Sequence, residues 1–560
     1  MINSWGAALL GCSRASARLR WLAIALVGLL SLAARALLLP ILPIPKPAIQ
    51  DEFSYLLASD TFASGRLTNP THPLADRFET MQVLSYPTYA SKYPPLPALV
   101  MALGQKMAGE PWIGVWLSMG VLCATLCWTL QGWLPPLWAF VGSLLPLLRI
   151  GIVSYWTESY WGGTCAAIGG ALVIGALPRL IRKPRRGHAF VFTVGLVVLA
   201  NSRPYEGLLL AAGCIVYFAF VAWRRRYRLR LSILGQHLLV SAALVFIPVA
   251  LWIAYYNYRV TGNALQMPYL VHEKQYAVWT PWLWQTQPHA APAYNNSQLR
   301  DFWLVADDAE KHYAHDHLLK AHVSDLIGLG RFFLGWPLIL CIIAFARQLW
   351  RNPASRSVLL LCGAVYVGCA LYTRLFAHYV APATALFYLL AAFALRAAWK
   401  SGPGSPAERR YLTWSVMAIF ALTTAIGLLR ADNRFLFGPI DYHAQSKRAS
   451  IEHRLLQEPG DHLVLVRYGP HHDIYEEFVY NRADIDRSRI VWARSLGAEK
   501  DSQLINYYRG RKVWLVEEDG EAKLSPYVTG TKGLLLVGSG DKPLGFLCPL
   551  LSSNPDLSYR

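Results

Sequence analysis

The sequence holds no Cys-x-x-Cys pair, no glycine-rich phosphate loop and few charges for its length, and each absence removes a class of protein. Without paired cysteines there is no zinc ribbon and no disulfide framework. Cys123, Cys127, Cys165, Cys214, Cys341, Cys362 and Cys369 lie inside apolar runs, where a thiol is a small core residue. Without G-x-G-x-x-G or a Walker signature, nucleotide binding has no support. Charged residues are only 16% of the chain, too few for a soluble enzyme of 560 residues. Acidic residues are the scarcer sign, 34 against 53 basic, giving a formal charge of +19. That excess argues against nucleic acid as a partner here, because the basic residues sit in short clusters between apolar runs.

What is present fits a polytopic membrane protein: 54% hydrophobic residues, with 21 Trp and 29 Tyr to furnish aromatic belts. Arg14, Arg18 and Arg20 precede an apolar run from Trp21 to about Leu42 that is long enough to span and has no cleavage signal after it. Later basic clusters occur at 179–186, 224–230, 347–356 and 396–410. The five clusters hold twenty basic residues against the single acid Glu408. By the positive-inside rule they face the cytoplasm, as does the N-terminus. An odd number of crossings must then separate Asp51 from Arg179. The run 95–109 is short, is opened by prolines and carries Gln105 and Lys106, so it is expected along the membrane surface. Eleven spans remain, with the loops 44–111 and 257–330 and the C-terminal part outside a bacterial-type inner membrane.

The acidic pair Asp51-Glu52 opens the first outer loop, and Lys92-Tyr93-Pro94-Pro95 closes it. A base and a cation at one membrane surface suit chemistry on a lipid-linked substrate; the pair equally suits the N-terminus of a short helix. Glu158, Arg203 and Glu206 fall at other outer span ends, and ionisable residues at such depth are functional candidates. Arg203 and Glu206 can also form a local ion pair holding the turn. In the second loop, Trp279, Trp282, Trp284 and Trp303 suit an interface, while His312, His315, Asp316 and His317 crowd like metal ligands without sharing one helical face.

Composition changes after Arg430. Apolar runs at His462–Arg467, Ile490–Ala493, Lys512–Glu517 and Gly533–Val537, with a helical stretch Glu499–Arg509, predict a small α/β domain with parallel pairing. The expected organisation is a membrane-embedded domain, 1–435, and an extracytoplasmic α/β domain, 436–560.

Residues 20–430 resemble polytopic glycosyltransferases of the C superfamily, in the branch of protein O-mannosyltransferases and lipid A aminoarabinose transferases. The carriers are Asp51-Glu52, Lys92-Tyr93-Pro94-Pro95, Glu158, Ser202-Arg203-Pro204-Tyr205-Glu206-Gly207 and His378-Tyr379-Val380-Ala381-Pro382. The resemblance implies an inverting transferase that moves a sugar from a polyprenyl-phosphate donor to a lipid, glycan or protein acceptor on the outer face. It implies Asp51 as general base, with Glu52 and Glu158 as further catalytic candidates, and Lys92 and Arg203 on the donor phosphate. Glu206, His272, His378 and Tyr379 are other site candidates. The aminoarabinose branch has a Glu before its lysine that helps hold a divalent ion; here Ser91 stands there. Glu79 is the substitute the sequence offers for it, and His272 is a loose match to the later His that completes that ion's site, so no cofactor is implied beyond a possible divalent metal. A flippase of polyprenyl-linked lipids and a non-catalytic membrane scaffold remain the alternatives.

Overall fold

A computed structural model describes residues 17–224, 231–429 and 442–527. Arg14, Arg225, Arg226, Arg228, Arg230, Arg430 and the expected strand Gly533–Val537 lie outside the described residues.

Among the described residues seven helices are long and apolar enough to cross a membrane: Arg18–Leu37, Trp112–Trp133, Thr164–Arg182, Pro204–Val221, Gly235–Thr261, Ala381–Ser401 and Pro406–Leu428. An eighth is counted if Leu318–Phe333 and Gly335–Ala344, bent by 108°, form one span. Three further expected spans correspond to shorter apolar helices at Pro136–Gly151, Arg186–Ala200 and Pro353–Cys369. By length and composition the count among the described residues is therefore seven or eight, and the expected eleven is not established. The bend at Leu334 has a visible cause. Gly335 adopts φ +65°, and the Arg149 guanidinium donates to the Phe332 carbonyl at 3.1 Å and to that of Arg331. A broken helix leaves carbonyls that need such donors.

The middle of the bundle is Trp112–Trp133, Thr164–Arg182 and Ala381–Ser401, 67%, 78% and 83% buried, whereas Gly235–Thr261 is 6% buried and peripheral. Small residues allow that close packing: a Cβ on Gly170 would come 1.9 Å from the Pro382 carbonyl oxygen. All seven cysteines in the apolar runs are free thiols, and all but the half-buried Cys362 are fully buried.

The run expected at the surface is a helix, Pro95–Ala108, started by prolines and ended by Gly109 in the left-handed region. Before it, β1 (Val83–Leu84) and β2 (Ala90–Ser91) form an antiparallel ribbon. The C-terminal part has the expected α/β character. β3 (His462–Tyr468) lies between β4 (Ile490–Arg494) and β5 (Lys512–Glu518), parallel to both. β6 (Ala522–Pro526), which the sequence reading missed, pairs antiparallel with β5. Its alternation of exposed and half-buried residues marks an edge strand with little apolar signal.

This sheet packs onto the first outer loop. Leu57, Phe78, Val83 and Tyr89 share one apolar cluster with Leu463, Leu465, Val491 and Ala493. Asp60 accepts from Arg482 at 2.8 Å, and the buried pair Arg494–Glu477 (2.6 Å) reaches the loop through the Glu79 carbonyl and the Thr80 hydroxyl. The C-terminal module thus braces the helix that begins with the acidic pair.

Candidate functional site

The helix Gln50–Ala63 starts with Asp51 and Glu52 in its first turn. Adjacent helical residues point about 100° apart, and here the two carboxylates do different things. Glu52 is buried and satisfied: one oxygen accepts from Ala48 and Ile49 N–H at 2.9 and 3.3 Å, the other from Tyr160 N–H at 3.1 Å. It closes the helix start and ties it to the segment carrying Glu158. Burial raises its pKa to about 7, against those three donors.

Asp51 is half-buried and faces the other way, accepting a hydrogen bond from the Tyr93 hydroxyl. Burial raises its pKa, while Tyr93, Lys92 and Arg203 pull it down. Two cations therefore lie close enough for their charges to act on this carboxylate. Their placement follows from local structure. Lys92 directly follows β2, and Gln82, at φ +63°, offers its carbonyl to both Lys92 N–H (3.4 Å) and the Ser54 hydroxyl (2.6 Å). Pro94 and Pro95 then stiffen the chain, and Leu96 N–H donates to Asn201 at 3.1 Å, drawing in the turn that carries Arg203.

The Lys92 ammonium is buried, bonded to Glu273 Oε1 at 3.0 Å and surrounded by the rings of Tyr269, Tyr93 and Trp303 at 4.8, 5.6 and 5.9 Å. Arg203 pairs with Glu206 at 3.7 Å and lies over the Tyr379 ring at 4.7 Å. Tyr55 stacks on Tyr93 at 4.5 Å, completing an aromatic wall beside Asp51. Asp51, Lys92, Arg203, Glu206 and Tyr379 are thus one constellation.

Glu158 is engaged elsewhere, whereas His378 adjoins the constellation, its ring 4.7 Å from that of Tyr379. Glu158 forms a two-pronged buried ion pair with Arg35, at 2.7 and 2.9 Å, and Arg35 lies over Trp112. His378 takes part in a hydrogen bond with the Tyr155 hydroxyl at 3.0 Å and packs against Trp161, and burial pushes its pKa well below the ordinary value. The residues offered for a metal form no ready ligand cluster among the described residues. Both Glu79 oxygens are taken, by the Tyr276 hydroxyl at 2.6 Å and by Asn295 at 2.9 Å. His272 is enclosed by Tyr276 and Trp303 and kept neutral by burial, its pKa lowered to about 4. Among the described residues no three His, Cys, Asp or Glu side chains converge as a metal site. His312 is exposed beside Asp308, and His315 meets the Gln285 carbonyl instead.

The sequence reading missed Tyr93, Tyr269, Glu273 and Arg35. A signal existed for two of them: Tyr269, His272, Glu273 and Tyr276 form a one-sided stripe at i, i+3, i+4 and i+7 on the helix Pro268–Tyr276.

No protein-family model matches the chain, and no curated protein matches it by sequence. Among solved structures it is similar to ArnT from Cupriavidus metallidurans bound to undecaprenyl phosphate. That likeness has 15% identity and a TM-score of 0.46, over 89% of this chain and 92% of the other. It is also similar to the Archaeoglobus fulgidus oligosaccharyltransferase in complex with zinc and sulfate. There the identity is 11% and the TM-score 0.49, over 88% of this chain and 67% of the other. Identity this low assigns no residue a role.

Proposed function

We propose that this protein is an integral-membrane glycosyltransferase that moves a sugar from a polyprenyl-phosphate donor to a lipid, glycan or protein acceptor on the outer face of the membrane. The observation that carries this reading is Asp51, held by Tyr93 and acted on by the charges of Lys92 and Arg203 at the head of a helix. A carboxylate of raised basicity that feels the charge of two cations suits displacement at a sugar carbon. Asp51 takes the proton from the acceptor hydroxyl or amine as it attacks the anomeric carbon. Lys92 and Arg203 neutralise the phosphate that departs with the lipid, and direct attack inverts the sugar. Tyr379 and Tyr55 line the site near the guanidinium and wall the sugar.

Glu52 and Glu158 act in this reading as positioning residues: one fixes the turn that presents Asp51, the other joins Arg35 to the segment that Glu52 grips. The domains 1–435 and 436–560 work as one unit, since the module braces the helix of Asp51 through a shared core. Basic clusters face the cytoplasm and the module faces outside. The residues present give no step to a metal.

The test is a purified, reconstituted protein given a polyprenyl-phosphate sugar and a crude acceptor extract. Release of polyprenyl phosphate supports the transferase; lipid movement across the bilayer without donor cleavage rejects it.

A further inference from the structure

We propose that Glu273 is a displaceable counter-ion of Lys92: a phosphate replaces it to bind, and it returns to help the phosphate leave. This rests on the reading of Lys92 as the phosphate-binding residue and goes beyond it by assigning Glu273 a role in ligand exchange.

The side chain of Lys92 is only 6% exposed. An ammonium so enclosed is costly without an anion, and among the described residues the carboxylate bonded to it is Glu273, 181 residues away in sequence. The three rings about the ammonium are indifferent to which anion completes its shell, since each offers only the face of a π system. The cage therefore holds the cation in place while its anionic partner changes.

A displaced carboxylate needs somewhere to go, and the structure provides it. His272 is fully buried, and among the described residues neither of its ring nitrogens has a hydrogen-bonding partner. Such orphaned polar atoms are uncommon and call for an explanation. Its Nδ1 lies 3.8 Å from Glu273 Oε1, just beyond hydrogen-bonding distance. His272 and Glu273 are neighbours on the helix Pro268–Tyr276, which also carries Tyr269. A rotation of the Glu273 side chain away from Lys92 brings it onto the imidazole without moving the helix. The Lys92 charge, working against burial, holds Glu273 ionised with a pKa near 2, so in the empty site it is a full anion competing for the ammonium.

The exchange matters most for product. A sugar-linked phosphodiester carries one negative charge, whereas the phosphomonoester left after transfer carries up to two. The product therefore grips Lys92 more strongly than the donor does, and a carboxylate poised to reclaim the ammonium offsets that grip.

The experiment titrates purified protein in detergent with undecaprenyl phosphate and reads tryptophan fluorescence, Trp303 being beside Lys92. Glu273→Gln is expected to bind on the order of tenfold more tightly and to release more slowly, since it loses a charge-assisted competitor. Glu273→Asp is expected to return toward wild type. If Glu273 were only an anchor for Lys92, the Gln variant would bind more weakly. Equal or weaker binding by Glu273→Gln, with tight binding by wild type, overturns the counter-ion role and leaves the phosphate reading standing. Failure of wild type to bind the lipid removes the phosphate reading and this proposal together. Should Glu273→Gln not fold, His272→Phe removes the alternative partner and is expected to weaken binding about tenfold; unchanged affinity overturns the proposal.

Discussion

The Tyr93 hydroxyl donates to Asp51 Oδ1 across 42 residues of sequence, and the two prolines after Tyr93 hold the donor in place. This bond fixes the direction of the carboxylate and opposes the effect of burial on its pKa. Tyr93→Phe removes the opposing contribution, so Asp51 becomes harder to ionise. A general base works only when deprotonated, and the rate therefore falls as pH drops through its pKa. The acid limb of kcat/KM against pH is expected to move to higher pH in Tyr93→Phe. A limb that stays in place would mean that Asp51 is not the titrating base.

Asp51→Asn keeps the shape of the side chain and removes its capacity to take a proton. Sugar transfer is expected to fall by about 10²–10⁴-fold with donor binding largely retained. Full turnover by the purified Asn variant would leave Asp51 as a helix-terminal residue only. Glu52→Gln is expected to be milder for transfer, because Glu52 bonds backbone N–H groups and does not face the Asp51 side.

Lys92 separates transfer from lipid movement. If its charge is needed most as the phosphate departs, Lys92→Gln lowers kcat more than donor affinity. Lys92→Arg is expected to restore part of the rate, keeping charge without the compact ammonium that the ring cage fits. A variant that loses affinity alone, with undiminished turnover at saturating donor, contradicts a transition-state role.

The sequence reading succeeded where signals were local and stopped where they were not. The helix Pro95–Ala108 was legible from its prolines and its polar tail, and the parallel strands from their apolar runs. Asp51, Lys92 and Arg203 stand out in the sequence as charges at the end of a span or loop, whereas Tyr379 enters only through the resemblance. Nothing local announces that Tyr93 meets Asp51, that Glu273 meets Lys92 or that Arg35 meets Glu158, since these partners are 42, 181 and 123 residues apart. Arg35 lies inside an apolar run where an arginine looks like a flaw in the span rather than half of an ion pair. The three shorter apolar helices show the same limit, because composition marks a run as apolar without fixing how much of it is helical.

Orientation is checked by accessibility. Arg185 and Arg487 are both exposed, at opposite ends of the expected topology. Introduced separately as cysteines, Arg487→Cys is expected to react with an impermeant thiol reagent added from outside, and Arg185→Cys only after the membrane is opened. The reverse pattern inverts the topology and removes Asp51 from the outer face.

The last prediction concerns Glu158, a candidate for catalysis in the sequence reading and here a partner of Arg35 with both side chains 1% exposed. Arg35 also donates to the Leu42 and Pro43 carbonyls, so the pair fastens the end of the first span to the segment Ser154–Gly163. Removing one member of a buried ion pair leaves an uncompensated charge and costs about 3–5 kcal/mol, whereas replacing both with apolar groups is often neutral. Glu158→Leu alone is therefore expected to reduce the yield and melting temperature of the folded protein. Adding Arg35→Met in the same chain is expected to recover much of that loss, although the two carbonyls lose their donor. Transfer activity per folded molecule is the deciding measurement. If the double variant folds and transfers sugar at a rate within about tenfold of wild type, Glu158 serves position, because loss of a proton-transfer group costs about 10²–10⁴-fold. If it folds and transfer falls by that larger factor, Glu158 takes part in the chemistry, and its pairing with Arg35 belongs to a resting state.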